Sequence, residues 1–161
     1  MSGDAPLVGT GFHFEDLAQG ARFRSHRRTI TEADLAAFVN VTWLTEELFT
    51  VADDTGRAIA GRVVPGALVY AFAEGLLLPS MQDTGLAFLN ATLDVRRSTL
   101  VGDTIHVECE VLEHRLTSKG DRGLVRFANR VVNQHGETVL EYNPLRMLRR
   151  RPDHRSQEHA R

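Results

Sequence analysis

Apolar positions along this chain follow three different rhythms, and each predicts a different kind of element. Over residues 31–40, Leu35, Phe38 and Val39 recur at helical spacing within an otherwise polar segment, which predicts a short amphipathic helix. Thr31 stands at its start with Asp34 three places on, a variant of the capping box. Residues 61–79 read GRVVPGALVYAFAEGLLLP, the longest apolar stretch, in which Glu74 is the one charge between Ala67 and Leu78. Val69, Phe72, Ala73, Leu76 and Leu77 keep helical spacing there, and a helix apolar on nearly every face belongs inside a core. Pro65 and Gly66 precede its first turn and Pro79 ends it. From Leu86 onward the period becomes two: Ala87, Leu89, Ala91, Leu93 and Val95, then Ile105, Val107, Cys109 and Val111, then Val125, Phe127 and Val131 with Asn129 as a polar member of that face. These runs predict strands, separated by the turns LVGDT, SKGDRG and NQHGE.

Residues 138–148 complete the series as a last strand, with Pro144 marking an edge or a bulge. Residues 21–30 add an earlier strand with Phe23 as its apolar contact. Residues 41–62 carry weak periodicity: WLTEELF reads as a helical turn and VADDTGRA as a loop, a kind of segment that often lies over a pocket. The sum is an α+β domain in which an antiparallel sheet buries one face against one central helix. We expect a loose arm over 1–11, the domain over 12–150 and a basic, disordered tail over 151–161.

Composition narrows the function classes. With 161 residues, 42% of them hydrophobic and 25% charged, one globular domain with a sizeable core is expected. A formal net charge of -2 gives no global pull toward nucleic acid or anionic membranes. The central helix has about a dozen residues, too few for a bilayer span of about 20. Cys109 is the single cysteine, which excludes an intrachain disulfide and a cysteine-built zinc site and suits a reducing compartment. The first 20 residues lack a basic start followed by an apolar run, so a cytoplasmic location is expected. Phosphate-binding glycine loops are absent.

Several segments together resemble the MaoC-like dehydratases of the hotdog-fold superfamily: FEDLAQGARFRSHRRTITEADLAAFVNVT, GRVVPGALVYAFAEGLL, LDVRRSTLVGDTIHVECEVLE and VVNQHGETVLE. The resemblance runs from about Phe14 to Leu148 in the family's order. It implies a curved antiparallel sheet wrapped around a long central helix, and an acyl-CoA or acyl-carrier-protein thioester as substrate. It also implies addition or removal of water at C2–C3, with no metal and no cofactor. Partnership as a homodimer, or as a heteromer with a homologous subunit, is implied as well.

The same resemblance exposes a departure. Family enzymes carry an Asp and a His just after the first helix, the groups that hold water and move a proton. Aligned from Thr42, those positions hold Leu44 and Phe49, and no histidine occurs between His26 and His106. The small motif at the start of the central helix reads Val64, Pro65 and Gly66, which keeps a glycine whose amide can receive a thioester oxygen. Leu44, Phe49, Val64, Pro65, Gly66 and Asn90 are the candidate substrate-binding residues.

Displaced acids are sought at Glu74, Asp53 and Asp54, with Glu46 and Glu47 behind them. For Asp53 and Asp54 a turn role is the simpler reading, and for Glu74 contact with solvent or an arginine. Arg96, Arg97 and Arg149 to Arg151 are candidates for a phosphate or an acidic carrier surface, although charge runs more often face solvent. The sequence therefore points to a hydratase or dehydratase-type thioester protein with a degenerate site. Two alternatives stand beside it: the same scaffold turned to thioester hydrolysis, isomerisation or cyclisation, and a non-catalytic partner subunit.

Overall fold

A computed structural model describes residues 8–152; most of the expected arm and tail lies outside them. Ten strands and three α-helices follow in the order β1 (Arg22–Arg24), β2 (Arg28–Thr29), α1 (Glu32–Thr42), α2 (Glu47–Thr50), β3 (Val63–Val64), α3 (Gly66–Leu77), β4 (Gly85–Asn90), β5 (Leu93–Val95), β6 (Thr99–Leu100), β7 (Thr104–Leu116), β8 (Arg122–Val132), β9 (Thr138–Tyr142) and β10 (Leu145–Arg149). A 3-10 turn at Phe14–Asp16 precedes them. The main sheet is antiparallel, ordered β1-β7-β8-β10-β4, with β2 on β7 and β9 bridging β8 and β5. A separate two-stranded ladder pairs β3 with β6.

The long hairpin of β7 and β8 is the frame. Its period-two pattern buries Ile105, Val107, Cys109 and Val111 on one strand and Val125, Phe127, Asn129 and Val131 on the other, because alternate side chains of a strand share a face. Ile105, Val107, Cys109 and Val131 of that face pack with Leu68, Val69, Ala73 and Leu77 of α3 and with Leu35 and Val39 of α1. Burying each such large aliphatic side chain is worth roughly 1.5–3 kcal/mol. At the hairpin tip a second cluster forms around Phe14, whose ring stacks on His114 at 3.8 Å. Gly123 admits this ring, since a methyl there would run into Phe14.

Local chemistry sets the ends of α1. Thr31 Oγ1 accepts from the Asp34 amide while the Asp34 carboxylate accepts from the Thr31 amide, both halves of the capping box. Trp43 terminates the helix in the left-handed region, at φ 62. Three expectations change shape. The strand over 21–30 divides into β1 and β2 around Ser25 to Arg27. The last strand divides at Asn143 and Pro144 into β9 and β10, which pair with successive stretches of β8. Proline has no amide for the ladder, and the Pro144 carbonyl instead accepts from Phe127.

The third change concerns α3. Ala67, Ala71, Gly75 and Leu78 are exposed, so an apolar stripe of the helix and its end is uncovered. β4 and β5 are exposed as well, with Leu86, Phe88, Leu89, Leu93 and Val95 open. Apolar character tells that a surface is to be covered, not by which chain. Among the described residues no helix is long and apolar enough to cross a membrane.

Candidate functional site

A groove of about 190 Å³ opens at the N-terminus of α3. The β3–β6 ladder builds it, by setting Val64 directly opposite Thr99 so that the Pro65–Gly66 corner rises beside β6. Val63, Val64, Pro65, Gly66 and Val69 form one wall, and Val139 and Leu140 the floor. Leu48 and Phe49 of α2 close one side, and Val95, Arg97, Ser98 and Thr99 the other. Among the described residues, the lining contains no histidine and no carboxylate.

Two features give the groove chemistry. Pro65 offers no side-chain cap, and its carbonyl accepts from the Leu68 and Val69 amides. The Gly66 and Ala67 amides have no acceptor among the described residues, as the first amides of a helix lack partners within it, and they carry the positive end of the helix dipole. Gly66 also packs close: a Cβ there would meet Val95 Cγ2 at 3.0 Å.

Of the residues singled out from the sequence, the groove gathers Phe49, Val64, Pro65 and Gly66. Leu44 lies in the loop before α2, partly exposed, and does not line it. Asn90 ends β4, where its Oδ1 accepts from Arg126 at 3.1 Å. Asp53 Oδ1 accepts from the Thr55 amide and hydroxyl at 2.9 and 2.6 Å, and Asp54 Oδ2 from the Gly61 amide at 2.7 Å. These turns hold the loop before β3, together with Arg62, which donates to Glu32 at 2.5 Å and to the Val51 carbonyl at 3.2 Å. The hydrogen bond and charge of Arg62 hold the Glu32 carboxyl below its usual range against a small cost of burial. Glu46 and Glu47 are exposed at the start of α2.

Glu74 lies outside the groove in a polar cluster of its own. Arg146 Nη2 donates to both its oxygens at 2.6 and 2.8 Å, and the Tyr142 hydroxyl donates to Oε1 at 2.7 Å. Tyr70 meets the Tyr142 ring edge-on at 5.1 Å, and Arg146 lies over Phe88 at the same distance. Burial, then the Glu74 charge, push the Tyr142 phenol far up, so it remains a proton donor to the carboxylate. Cys109 is buried and its thiol is pushed up to about 12 by desolvation, an inert core group. Buried Asn129 lies beside Arg146 at a small cavity with its Oδ1 unpaired.

The arginines divide by use. Arg96 is held by Glu141 at 2.9 Å and Arg150 by Glu15 at 3.0 Å, and Arg151 pairs with Asp16. Arg97 stands at the groove, exposed, with Glu137 no nearer than 3.6 Å. Among the described residues no cluster of three His, Cys, Asp or Glu could hold a metal. Leu48, Val95, Ser98, Thr99, Val139 and Leu140 escaped the sequence reading. The two-residue strand that brings Thr99 to the start of α3 leaves no periodic signal.

No family model and no curated protein matches the sequence. Solved structures do match. A MaoC-like dehydratase from Rhodospirillum rubrum is 28% identical with a TM-score of 0.76, over 89% of this chain and 100% of that one. The (R)-hydratase PhaJ1 from Pseudomonas aeruginosa is 27% identical with a TM-score of 0.73, over 88% of each chain. A double-hotdog protein from Mycobacterium tuberculosis is 24% identical with a TM-score of 0.80; 92% of this chain matches 47% of that one, so this chain spans about half of it. A sheet wrapped on a central helix, with an open amide corner at the helix start, is thus an α+β hotdog fold whose structural neighbours are MaoC-like dehydratases and hydratases.

Proposed function

We propose that this chain binds a short acyl thioester of coenzyme A or a carrier protein, with the thioester oxygen at the Gly66 amide, on a hydratase-type scaffold whose acid–base pair is missing. The observation that carries the reading is the groove at the α3 N-terminus, apolar on most sides and furnished with free amides where an oxygen gains negative charge. Its volume of about 190 Å³ lies below the roughly 300 Å³ at which drug-sized pockets begin, which favours a short acyl group. Leu44 and Phe49 at the Asp and His positions leave no side chain there to transfer a proton. The thioester-binding half of the chemistry is retained and the proton-moving half is not. A single cysteine, buried and unpaired, suits a cytoplasmic setting.

Calorimetric titration with acetyl-CoA and crotonyl-CoA tests binding, and the loss of the enoyl absorbance tests hydration. Saturable binding is expected, with hydration about 10²–10⁴-fold below that of a hydratase carrying both groups. Absence of binding to either thioester refutes the reading. Hydration at ordinary rates refutes the missing pair. Gly66→Ala supplies a second check. Alanine suits a helix better than glycine by up to about 1 kcal/mol, so the fold should hold. The added methyl meets Val95 at the groove, and acetyl-CoA affinity should fall at least severalfold in titration while the melting temperature stays within a few degrees.

A second reading follows from the exposed face of α3, β4 and β5, which reaches the groove at Val95. We propose that a second hotdog unit covers that face and that a homodimer is its form; the Mycobacterium tuberculosis neighbour has a double hotdog fold. In a heteromer this chain would supply half a pocket to a homologous subunit. Activity that arises only on mixing with a catalytically complete homologue would mark it as such a subunit.

A further inference from the structure

The break between β1 and β2 gathers basic side chains that the fold itself leaves unused. Arg24 stands opposite Glu108 and Arg28 opposite Ile105, so three residues of this edge, Ser25 to Arg27, face two of β7. The bulge is pinned at Ser25, whose amide donates to the Val107 carbonyl and whose hydroxyl accepts from the Val107 amide, both at 2.9 Å. In a regular strand Arg24 and His26 share a face and Arg27 takes the other. The extra residue re-aims the chain, as bulges do, and all three line one cleft of about 760 Å³. His106 and the β8–β9 turn at Asn133 and Gln134 form its other side.

Among the described residues no carboxylate lines this cleft. The carboxylates that touch its lining from outside are committed: Glu108 holds Arg130 at 2.6 Å, Asp103 accepts from the Leu100 amide at 2.8 Å, and Glu137 accepts from Asn133 at 3.1 Å. Arg22 and Arg28 on the same edge are each held by an acid, Glu110 at 2.7 Å and Asp34 at 2.9 Å. Arg24, His26 and Arg27 make no side-chain hydrogen bond or ion pair among the described residues. Two guanidinium charges in one cleft repel, and an anion between them turns that repulsion into attraction.

We infer that this cleft binds the phosphate of a phosphorylated small molecule, held between the Arg24 and Arg27 guanidinium groups with the His26 ring beside them. Its volume falls within the roughly 300–1,000 Å³ of small-ligand sites, and planar guanidinium forks match phosphate oxygens in pairs. The cleft is separate from the groove at α3. The two share no lining residue. Glu137 stands between them, 3.6 Å from Arg97 at the groove and hydrogen-bonded to Asn133 at the cleft, and its charge opposes one anion reaching across both. The inference is therefore independent of the thioester reading.

Inorganic pyrophosphate is the probe, titrated calorimetrically into the full chain in sulfate-free buffer. Wild type should bind it saturably at a single site. Arg24→Ala with Arg27→Ala should weaken binding at least about tenfold, the loss expected when two charge-assisted donors go. Arg115→Ala with Arg149→Ala removes the same charge from exposed positions away from the cleft, and should change affinity by no more than about twofold in physiological salt. Saturating acetyl-CoA should leave pyrophosphate affinity as it is. Amide shifts in NMR spectra should centre on residues 25–27 and 133–136, a reading that needs no variant. No saturable binding by wild type, equal loss in the two double variants, or shifts centred elsewhere each overturns the inference. Displacement of pyrophosphate by acetyl-CoA overturns it too, since the cleft would then belong to the thioester's own nucleotide arm. If acetyl-CoA does not bind at all, the thioester reading fails and saturable pyrophosphate binding at the arginines still supports the cleft.

Discussion

Glu74→Ala should lower the melting temperature by roughly 6–20 °C, the largest effect expected of any single substitution in this chain. The reason is the arginine left behind. Arg146 has a side chain only 7% exposed, and Glu74 takes both of its short contacts to a carboxylate. Breaking a buried pair by removing one partner costs about 3–5 kcal/mol, because the remaining charge has neither water nor counter-ion. Tyr142 would lose its acceptor at the same time. The reverse substitution, Arg146→Met, should cost less, since the Glu74 side chain is 26% exposed and can be reached by water. Glu74→Leu combined with Arg146→Met should recover most of the loss, because a buried pair replaced by apolar groups of similar size is often close to neutral. Thermal unfolding of the four proteins tests this; a Glu74→Ala melt within 2 °C or so of wild type would refute it. Acyl-thioester affinity measured well below the melt should be the same in Glu74→Gln and wild type, as Glu74 does not line the groove. A Glu74→Gln protein that binds normally yet loses thiol release would instead make Glu74 the carboxylate of a hydrolase.

Much of this architecture was legible because single elements announced themselves. The alternation through Ile105, Val107, Cys109 and Val111 and through Val125, Phe127, Asn129 and Val131 predicts the hairpin and its inner face, since a strand with one buried face must alternate. Thr31 and Asp34 predict the start of α1 because a capping box is a local structure. The corner at Gly66 was readable from the resemblance together with the Pro-Gly pair. Other features depended on contacts distant in sequence. β3 and β6 have two residues each, too few for a period, yet their pairing brings Thr99 to Val64 and creates the groove. Asn90 ends β4 on the β10 side, where it pairs with Arg126, whereas the groove is lined from β5 and β9, which pair with each other off the β10–β4 edge. Leu44 follows a helix that ends at a left-handed Trp43, and that turn redirects the chain before Phe49 reaches the groove. For α3, uniform apolarity predicts enclosure within one chain, whereas Ala67, Ala71 and Gly75 remain open.

That open face leads to the second large prediction, that the chain is a homodimer and that paired lysines at Leu86 and Leu89 will split it. β4 is an edge strand of six residues with no charge, no proline and three large exposed apolar side chains, Leu86, Phe88 and Leu89. Edge strands that stay unpaired are usually defended by charge, proline or shortness, and this one has none of these. Beside it stand Leu93 and Val95 of β5 and the small residues of α3, which let another backbone approach closely. A stable interface of this kind covers about 1,200–2,000 Å², and one hotdog unit covering another would supply it. Light scattering coupled to gel filtration should give wild type twice 17.9 kDa. Leu86→Lys with Leu89→Lys should give a monomer, since lysines facing each other across the interface repel and lose water. Leaving Phe88 in place keeps the Arg146 stacking intact, so the monomer should remain folded by circular dichroism. Val95 ties the two halves of the argument together, for it is 58% exposed on this face and also lines the groove. If a second copy covers it, the groove is complete only in the dimer, and the lysine variant should lose acyl-thioester affinity along with its partner. A wild-type monomer at micromolar concentration would refute the assembly, and a monomeric variant that binds as tightly as wild type would separate the groove from the interface.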